Sequence, residues 1–82
     1  MEADTLRADL EAAVTAQIPA ARVAVVVEGN RALITVVSSE FESLSRVQKQ
    51  QKVYACIDDY IKDGRIHAVT IRALTPEEAG SA

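Results

Sequence analysis

The amino-acid sequence predicts a two-layer α+β sandwich with the order α-β-β-(short α)-α-β and a short helical stub at the C-terminus. Two long segments carry apolar residues at helical spacing, and β-branched apolar runs occupy 23–27, 32–37 and 66–74. Glycine, proline and serine separate these segments. Eighty-two residues are enough for one domain, and we predict that 1–82 form a single unit.

The first predicted element is a helix that Pro19 ends, because proline lacks the backbone donor and clashes with the preceding turn. Asp4 or Thr5 is suited to cap its start. A row of apolar residues recurs close to the helical period and predicts its packing face: Leu6, Leu10, Val14 and Ile18.

The next two elements are strands joined by the turn Glu28-Gly29-Asn30-Arg31. Glycine at the first central position favours a type II′ turn, where a positive φ costs it little. Both strands carry apolar residues at odd and at even positions, so both faces of the sheet are apolar. One face is expected to pack on helices. The other face stays partly open or meets a partner.

Two helix starts follow in close succession. Ser39-Glu40-Phe41-Glu42 fits a capping box for a short turn, and Ser45-Arg46-Val47-Gln48 fits a second one that begins the long helix. Gly64 is a typical stop. Five apolar residues project within an arc of roughly 120° and predict the buried face: Val47, Val53, Tyr54, Ile57 and Ile61.

The third strand, 66–74, runs directly into the helix start Thr75-Pro76-Glu77-Glu78. The sequence continues for only four more residues, so at most a stub of helix forms, and we expect its end to fray. The connection between the second and third strands passes through the long helix, which favours parallel pairing.

Composition limits the function. One cysteine cannot form an internal disulfide, no apolar run spans a membrane, and no secretory signal precedes the first helix. We therefore predict a cytoplasmic protein that does not contact membranes. An enzyme is not indicated, because the sequence lacks a nucleophile–His–acid set, paired Cys-x-x-Cys ligands and a glycine-rich phosphate loop.

Basic residues cluster between Ser43 and Ile57, where Arg46, Lys49 and Lys52 occur without an acid. The net charge of −3 argues against nucleic-acid binding through overall charge. Two interpretations of the cluster stay open. One is a solvated helix face, and the other is a contact surface for nucleic acid or an acidic partner.

His67 and Cys56 are the residues able to bind metals through nitrogen or sulfur. From the sequence alone, His67 shares strand parity with Val69 and Ile71, which favours a neutral, hydrogen-bonded histidine against the core. Cys56 lies in the middle of the long helix at the edge of its apolar arc, where a lone cysteine is usually a small buried hydrophobe.

Two blocks of this sequence resemble the BolA family, most closely its IbaG-like branch. They read FESLSRVQKQQKVY at 41–54 and RIHAVTIRALTPE at 65–77. The resemblance covers roughly 23–78 and implies a fold similar to the class II KH domain. It also implies a non-enzymatic adaptor that partners a monothiol glutaredoxin in iron–sulfur trafficking or in iron and stress regulation. Some relatives are described as DNA-binding transcriptional regulators.

The resemblance assigns roles to particular residues. The histidine of the Ile-His-Ala motif is the family's characteristic ligand to a 2Fe–2S cluster, and His67 occupies that position. The cluster would be shared with the glutaredoxin and not be held by this chain alone. A His or Cys in the loop between the first two strands often completes the family site, and here Arg31 stands there. An arginine cannot deprotonate at ordinary pH and so cannot bind iron.

Several alternatives follow for the second ligand. The site uses His67 alone on this side, another residue such as Cys56 replaces the missing ligand, or cluster binding is weakened. The nucleic-acid alternative rests on Arg46, Lys49 and Lys52, although Ser43 stands where many relatives have glycine in the loop. A third alternative is a folded partner domain that binds neither metal nor nucleic acid by itself. Alone, the protein is expected to be a monomer or weak homodimer.

Overall fold

The chain folds in the predicted order, and this computed structural model describes the backbone of residues 2–81 and the side chains of residues 5–80. The elements are α1 (Glu2–Gln17), β1 (Arg22–Glu28), β2 (Arg31–Val37), a 3₁₀ helix (Ser39–Ser43), α2 (Arg46–Lys62), β3 (Ala68–Leu74) and α3 (Pro76–Ser81).

The three strands form one sheet in the order β1-β2-β3. β1 pairs antiparallel with β2, and β2 pairs parallel with β3, as the long helical connection predicted. Gly29 has a φ of 59°, and no described non-glycine residue has a positive φ. This pattern confirms the type II′ turn between β1 and β2.

Both long helices pack on the same face of the sheet, with α1 over β1 and α2 over β3. The core between them is almost entirely aliphatic and includes the stripe predicted for α1. Its buried members are Leu10, Val14, Ile18, Val25, Ala32, Ile34, Val36, Phe41, Val53, Ile57, Ile66 and Ala73. Burial of an aliphatic side chain of this size stabilises the fold by about 1.5–3 kcal/mol before entropy is counted.

The opposite side of the sheet, which we name the open face, is covered by neither α1 nor α2. It consists of the side chains that alternate with the core residues along each strand. These are the even-numbered residues of 22–28, the odd-numbered residues of 31–37 and the even-numbered residues of 68–74. The sequence prediction of one packed and one uncovered face is therefore correct for the described structure.

The starts of α1 and β3 differ from their predictions. α1 begins at Glu2, so Asp4 and Thr5 lie in its first turn and do not precede it. The side chain of Asp4 lies outside the described residues. β3 begins at Ala68 and not at Ile66, because Ile66 and His67 still belong to the bend that leads out of α2.

The two predicted helix starts have different outcomes. The 3₁₀ helix is capped by Ser38 and not by Ser39, since the Ser38 hydroxyl accepts a hydrogen bond from the Glu40 N–H at 3.1 Å. The capping box of α2 is confirmed. Ser45 Oγ accepts from the Gln48 N–H at 3.2 Å, and Gln48 Oε1 accepts from the Ser45 N–H at 2.9 Å.

The face predicted for α2 is only partly correct. Val53 and Ile57 are fully buried, but Val47 is 63% exposed and Tyr54 is 41% exposed. These two lie on one flank, roughly 80–100° from the direction in which Val53 and Ile57 point. α2 sits over the edge strand β3, so this flank has no further strand to cover it.

The C-terminal stub is present as α3. Its start is a reciprocal cap, in which Thr75 Oγ1 accepts from the Glu78 N–H at 3.2 Å and Glu78 Oε1 accepts from the Thr75 N–H at 2.9 Å. The helix is six residues long, as short as expected. The predicted fraying falls on residues that include Ala82, which lies outside the described range.

We expect Ser38→Ala to lower the free energy of unfolding by about 1–2 kcal/mol, because it removes the hydroxyl that caps the 3₁₀ helix. Ser38 is also buried, so solvent is poorly placed to replace the lost bond. Urea denaturation followed by circular dichroism measures this. Ser39→Ala is the matched control, since Ser39 is exposed, and its change is expected within about 0.5 kcal/mol. Equal losses in the two variants would contradict the assignment of the cap.

Candidate functional site

His67 lies at the edge of the sheet where β2 and β3 both begin. In the parallel register Arg31 is opposite Ala68, so His67 is one residue before the first paired position. Its backbone N–H donates to the carbonyl oxygen of Asn30, in the hairpin turn, at 2.8 Å. The fold therefore brings His67 and the turn together from distant parts of the sequence.

The backbone on the other side of His67 is also fixed. Gly64, with a φ of 85°, turns the chain out of α2. The N–H groups of Arg65 and Ile66 then donate to the carbonyl oxygen of Tyr60 at 3.1 and 3.3 Å. Ile66 is 1% exposed and anchors the bend in the core. Held on both sides, the backbone of His67 has little freedom to move.

Arg65, two residues from His67, is already engaged within the chain. Its guanidinium lies 3.0 Å from the Asp63 carboxylate and 4.6 Å from the centre of the Tyr60 ring. Hydrogen bonding from Arg65 lowers the pKa of Asp63. Arg65 and Asp63 therefore neutralise each other's charge next to the bend. His67 is the side chain of the bend that remains available to bind a ligand.

The side chain of His67 is exposed, contrary to the placement against the core that strand parity favoured. Neither of its ring nitrogens makes a hydrogen bond or ion pair with another described residue. Strand parity failed because His67 precedes the strand, where alternation does not apply. An exposed imidazole with both nitrogens available is able to bind a metal that arrives from outside.

Arg31 is exposed at the start of β2, and its guanidinium makes no ion pair with a described residue. It borders a shallow hollow on the open face, together with Glu28, Leu33 and Ala68. The structure thus places Arg31 at the same edge of the sheet as His67, opposite the residue that follows it, where the resemblance would supply a ligand. Among the described side chains, those of residues 5–80, there is no group of three or more His, Cys, Asp or Glu residues able to hold a metal ion.

Cys56, the candidate second ligand, is half-buried in α2 against the core. Its thiol donates to the Lys52 carbonyl oxygen at 3.3 Å. Burial raises the pKa of the Cys56 thiol, outweighing the opposing effect of Lys52. Both features favour the protonated thiol over the thiolate that metals require.

The three basic residues of α2 are not equivalent. Lys49 Nζ lies 3.1 Å from Glu78 Oε1, and Lys52 Nζ lies 3.9 Å from Glu40 Oε1. Only Arg46 is without an acidic partner among the described residues. The run therefore presents less positive charge to a polyanion than its sequence suggests.

The pairing of Lys49 with Glu78 and of Lys52 with Glu40 is not predicted from the sequence. Glu78 was assigned only to the first turn of the C-terminal helix, although it also joins α3 to α2. No local pattern indicates such pairs, because each joins residues of different elements.

The family model described as BolA-like protein matches residues 23–78, the range over which the sequence resemblance extends. A protein of the rpoN-murA intergenic region of Acinetobacter guillouiae, described as uncharacterized, is 44% identical over 63 residues, or 77% of this chain and 76% of its own. The acid stress protein IbaG of Escherichia coli strain K12 is 47% identical over 51 residues, or 62% of this chain and 61% of its own.

Solved structures show the same fold. The BolA domain of SufE1 from Arabidopsis thaliana superposes with a TM-score of 0.80 at 21% identity, covering 90% of this chain and 95% of its own. BolA1 from Arabidopsis thaliana gives a TM-score of 0.78 at 18% identity, covering 88% and 93%. The predicted α+β fold is thereby confirmed, and it is compatible with the class II KH-like arrangement.

The stability that Glu78 contributes to the fold is expected to depend on pH. The Thr75 N–H and, after it, Lys49 lower the pKa of Glu78 from its ordinary 4.5. A lowered folded-state pKa means that this stabilisation is complete above about pH 5 and is lost as pH falls through the folded-state pKa. We expect wild type to exceed Glu78→Gln in urea midpoint at pH 7 and the difference to shrink below pH 4.5.

Glu42→Gln serves as the control, because Glu42 is exposed and makes no hydrogen bond or ion pair with a described residue. Its urea midpoint should follow that of wild type from pH 7 to pH 3. A Glu78→Gln difference that stayed constant over this range would contradict the ionised role of Glu78.

Proposed function

This chain belongs to the BolA family, and on that premise we propose that it is a non-enzymatic adaptor with a stress-related role. In this proposal it partners a monothiol glutaredoxin and shares a 2Fe–2S cluster with it through His67. The stress-related role is suggested by the name of the IbaG relative.

The observation that carries this proposal is the setting of His67. Its backbone is bonded to Asn30 and follows the buried Ile66, while its ring is exposed and without a partner among the described residues. A ligand for a shared cluster needs both properties. The fixed backbone limits the entropy lost on binding, and the open ring lets a partner approach.

The proposal divides the ligands between two proteins. His67 supplies one imidazole nitrogen, and the glutaredoxin supplies its cysteine and a glutathione thiol. These fill three of the four terminal ligand positions of a 2Fe–2S cluster, and this chain supplies no second ligand. Replacing a thiolate by an imidazole raises the potential of such a cluster, and the imidazole must be neutral to bind. We leave Cys56 out of the ligand set, since its thiol is half-buried and hydrogen-bonded within α2.

Arg31 has a different role in this proposal. It cannot bind iron, but it is exposed at the edge of the sheet where His67 lies, and its guanidinium has no acidic partner among the described residues. A cluster that carries thiolates is anionic, so a nearby fixed positive charge favours it electrostatically. Arg31 would therefore support the shared cluster from outside its ligand set.

Nucleic-acid regulation receives less support. The contact would rest on Arg46, Lys49 and Lys52, and two of these already pair with acids of the same chain. Fewer available bases mean fewer phosphates neutralised, and therefore a weaker complex whose affinity depends less steeply on salt. No observation favours this function over the adaptor.

The first test adds the protein anaerobically to a monothiol glutaredoxin carrying a 2Fe–2S cluster. We expect a one-to-one complex by size exclusion and a new visible circular dichroism spectrum, both altered by His67→Ala, which removes the proposed ligand. His67→Cys is the matched variant, because a thiolate is able to replace the imidazole, and it should recover a cluster-bound complex with a different spectrum.

An unchanged glutaredoxin spectrum without a complex would contradict cluster sharing. In that event a duplex DNA titration would follow, in which Lys49→Glu and Lys52→Glu should weaken binding while His67→Ala should not.

Arg31 permits a second test in the same mixture. Arg31→Gln removes the charge without adding a ligand, and cluster loss to a chelator should accelerate on the order of tenfold, as for other outer-sphere contacts. Arg31→His adds an imidazole at the same position, and cluster loss should become slower than in wild type. Equal rates in the three proteins would contradict both the proposed role of Arg31 and its proximity to the cluster.

A further inference from the structure

The distribution of paired and unpaired bases over the surface is uneven. The sequence has nine lysines and arginines, and all of them lie within the described side chains. Five form ion pairs: Arg7, Lys49, Lys52, Lys62 and Arg65. Four have no acidic partner among the described residues: Arg22, Arg31, Arg46 and Arg72. Three of these four lie on the open face, in a chain whose net charge is −3.

The register of the sheet places these arginines around an aliphatic centre. Val26, Leu33 and Thr70 lie side by side across the three strands in the middle of the open face. Val26 is 55% exposed and Leu33 is 39% exposed. Arg22 and Arg72 lie on one side of this row, towards the ends of β2 and β3, and Arg31 lies on the other side, where those strands begin.

We propose that the open face is a docking surface for an acidic protein surface with aliphatic side chains at its centre. This site adjoins the proposed cluster site, since Arg31 borders both, but it does not depend on His67. Complementary charge supports it, since the face carries three arginines against one glutamate, Glu28, for a net charge of +2. An aliphatic centre within a rim of arginines is also the composition usual for protein interfaces.

Nucleic acid fits this face less well. Recognition of single strands on a sheet uses aromatic side chains on which bases stack. All three aromatic residues of the sequence lie elsewhere: Phe41 is in the core, and Tyr54 and Tyr60 are on α2.

A second copy of this chain also fits poorly. Two such faces would bring a charge of +2 against +2, and the arginines of each copy would face a surface short of acids. Self-association through this face is therefore opposed by repulsion, whereas an acidic partner relieves it.

The size of the face sets the strength of the contact. Three strands of seven residues cover roughly 14 by 23 Å, on the order of 300 Å². A standard interface buries about 800 Å² on each partner. Docking on this face alone is therefore weak and transient, so the test must detect low affinity.

The test is a titration of ¹⁵N-labelled protein followed by amide chemical shifts. The probe is a nine-residue peptide that alternates glutamate with leucine, and the same peptide with glutamine for glutamate is its control. We expect shifts in β1, β2 and β3 with the acidic peptide, weaker shifts with the neutral one, and loss of binding at 0.5 M salt. The Arg22→Gln/Arg72→Gln double variant should bind about fivefold more weakly, since it loses two exposed charge pairs.

Arg46→Gln is the matched control, because Arg46 is exposed and has no ion-pair partner in the described part of the chain, but lies on α2. It should bind the peptide as wild type does. Shifts confined to the helices, affinity unchanged in the double variant, or no shift at millimolar peptide would overturn the proposal. So would tighter binding of a twelve-residue oligothymidine to the same face, which would indicate nucleic acid.

The double variant also separates this proposal from cluster sharing. Arg22 and Arg72 lie in the half of the sheet away from His67, so the glutaredoxin assay should give the wild-type spectrum with this variant. His67→Ala should in turn leave peptide binding unchanged. Each proposal is thus able to fail without the other.

Discussion

β2 and β3 run parallel, so both strands begin at the same edge of the sheet, and this pairing decides where the candidate site lies. The chain must return to that edge after β2, which places α2 across the sheet and buries Val53 and Ile57 beneath it. The start of β3 then meets the hairpin turn, and the bond from the His67 N–H to Asn30 closes the junction. An antiparallel third strand would put His67 at the opposite edge, away from Arg31.

Intramolecular ion pairs determine which charges are available for recognition. The lysines of α2 look like a basic surface along the sequence, yet Glu78 and Glu40 reach them from other elements. Arginines scattered through three strands look unrelated along the sequence, yet the sheet places them on one face. In the folded protein, most of the positive charge that is available to a partner therefore lies on the sheet and not on the helices.

Local patterns predicted the element order, the type II′ turn at Gly29 and the packing stripe of α1, because turn chemistry and periodicity encode them. The exposure of Tyr54 depends on how far the sheet extends beneath α2, which no local pattern shows. The cap at Ser38 differs by one residue from its prediction, as element ends commonly do. Strand parity was wrong for His67 because β3 begins after it, and the resemblance supplied the ligand role that local patterns did not favour.

The candidate site also has a consequence for folding. The hairpin closes across two residues, whereas thirty residues, 38–67, separate β2 from β3. Closing the longer loop costs more chain entropy, and such distant contacts slow folding. The hairpin and α2 can each form from local contacts, but His67 meets the turn only when that loop has closed. A partner that recognises this junction would therefore engage fully folded copies and pass over incompletely folded ones.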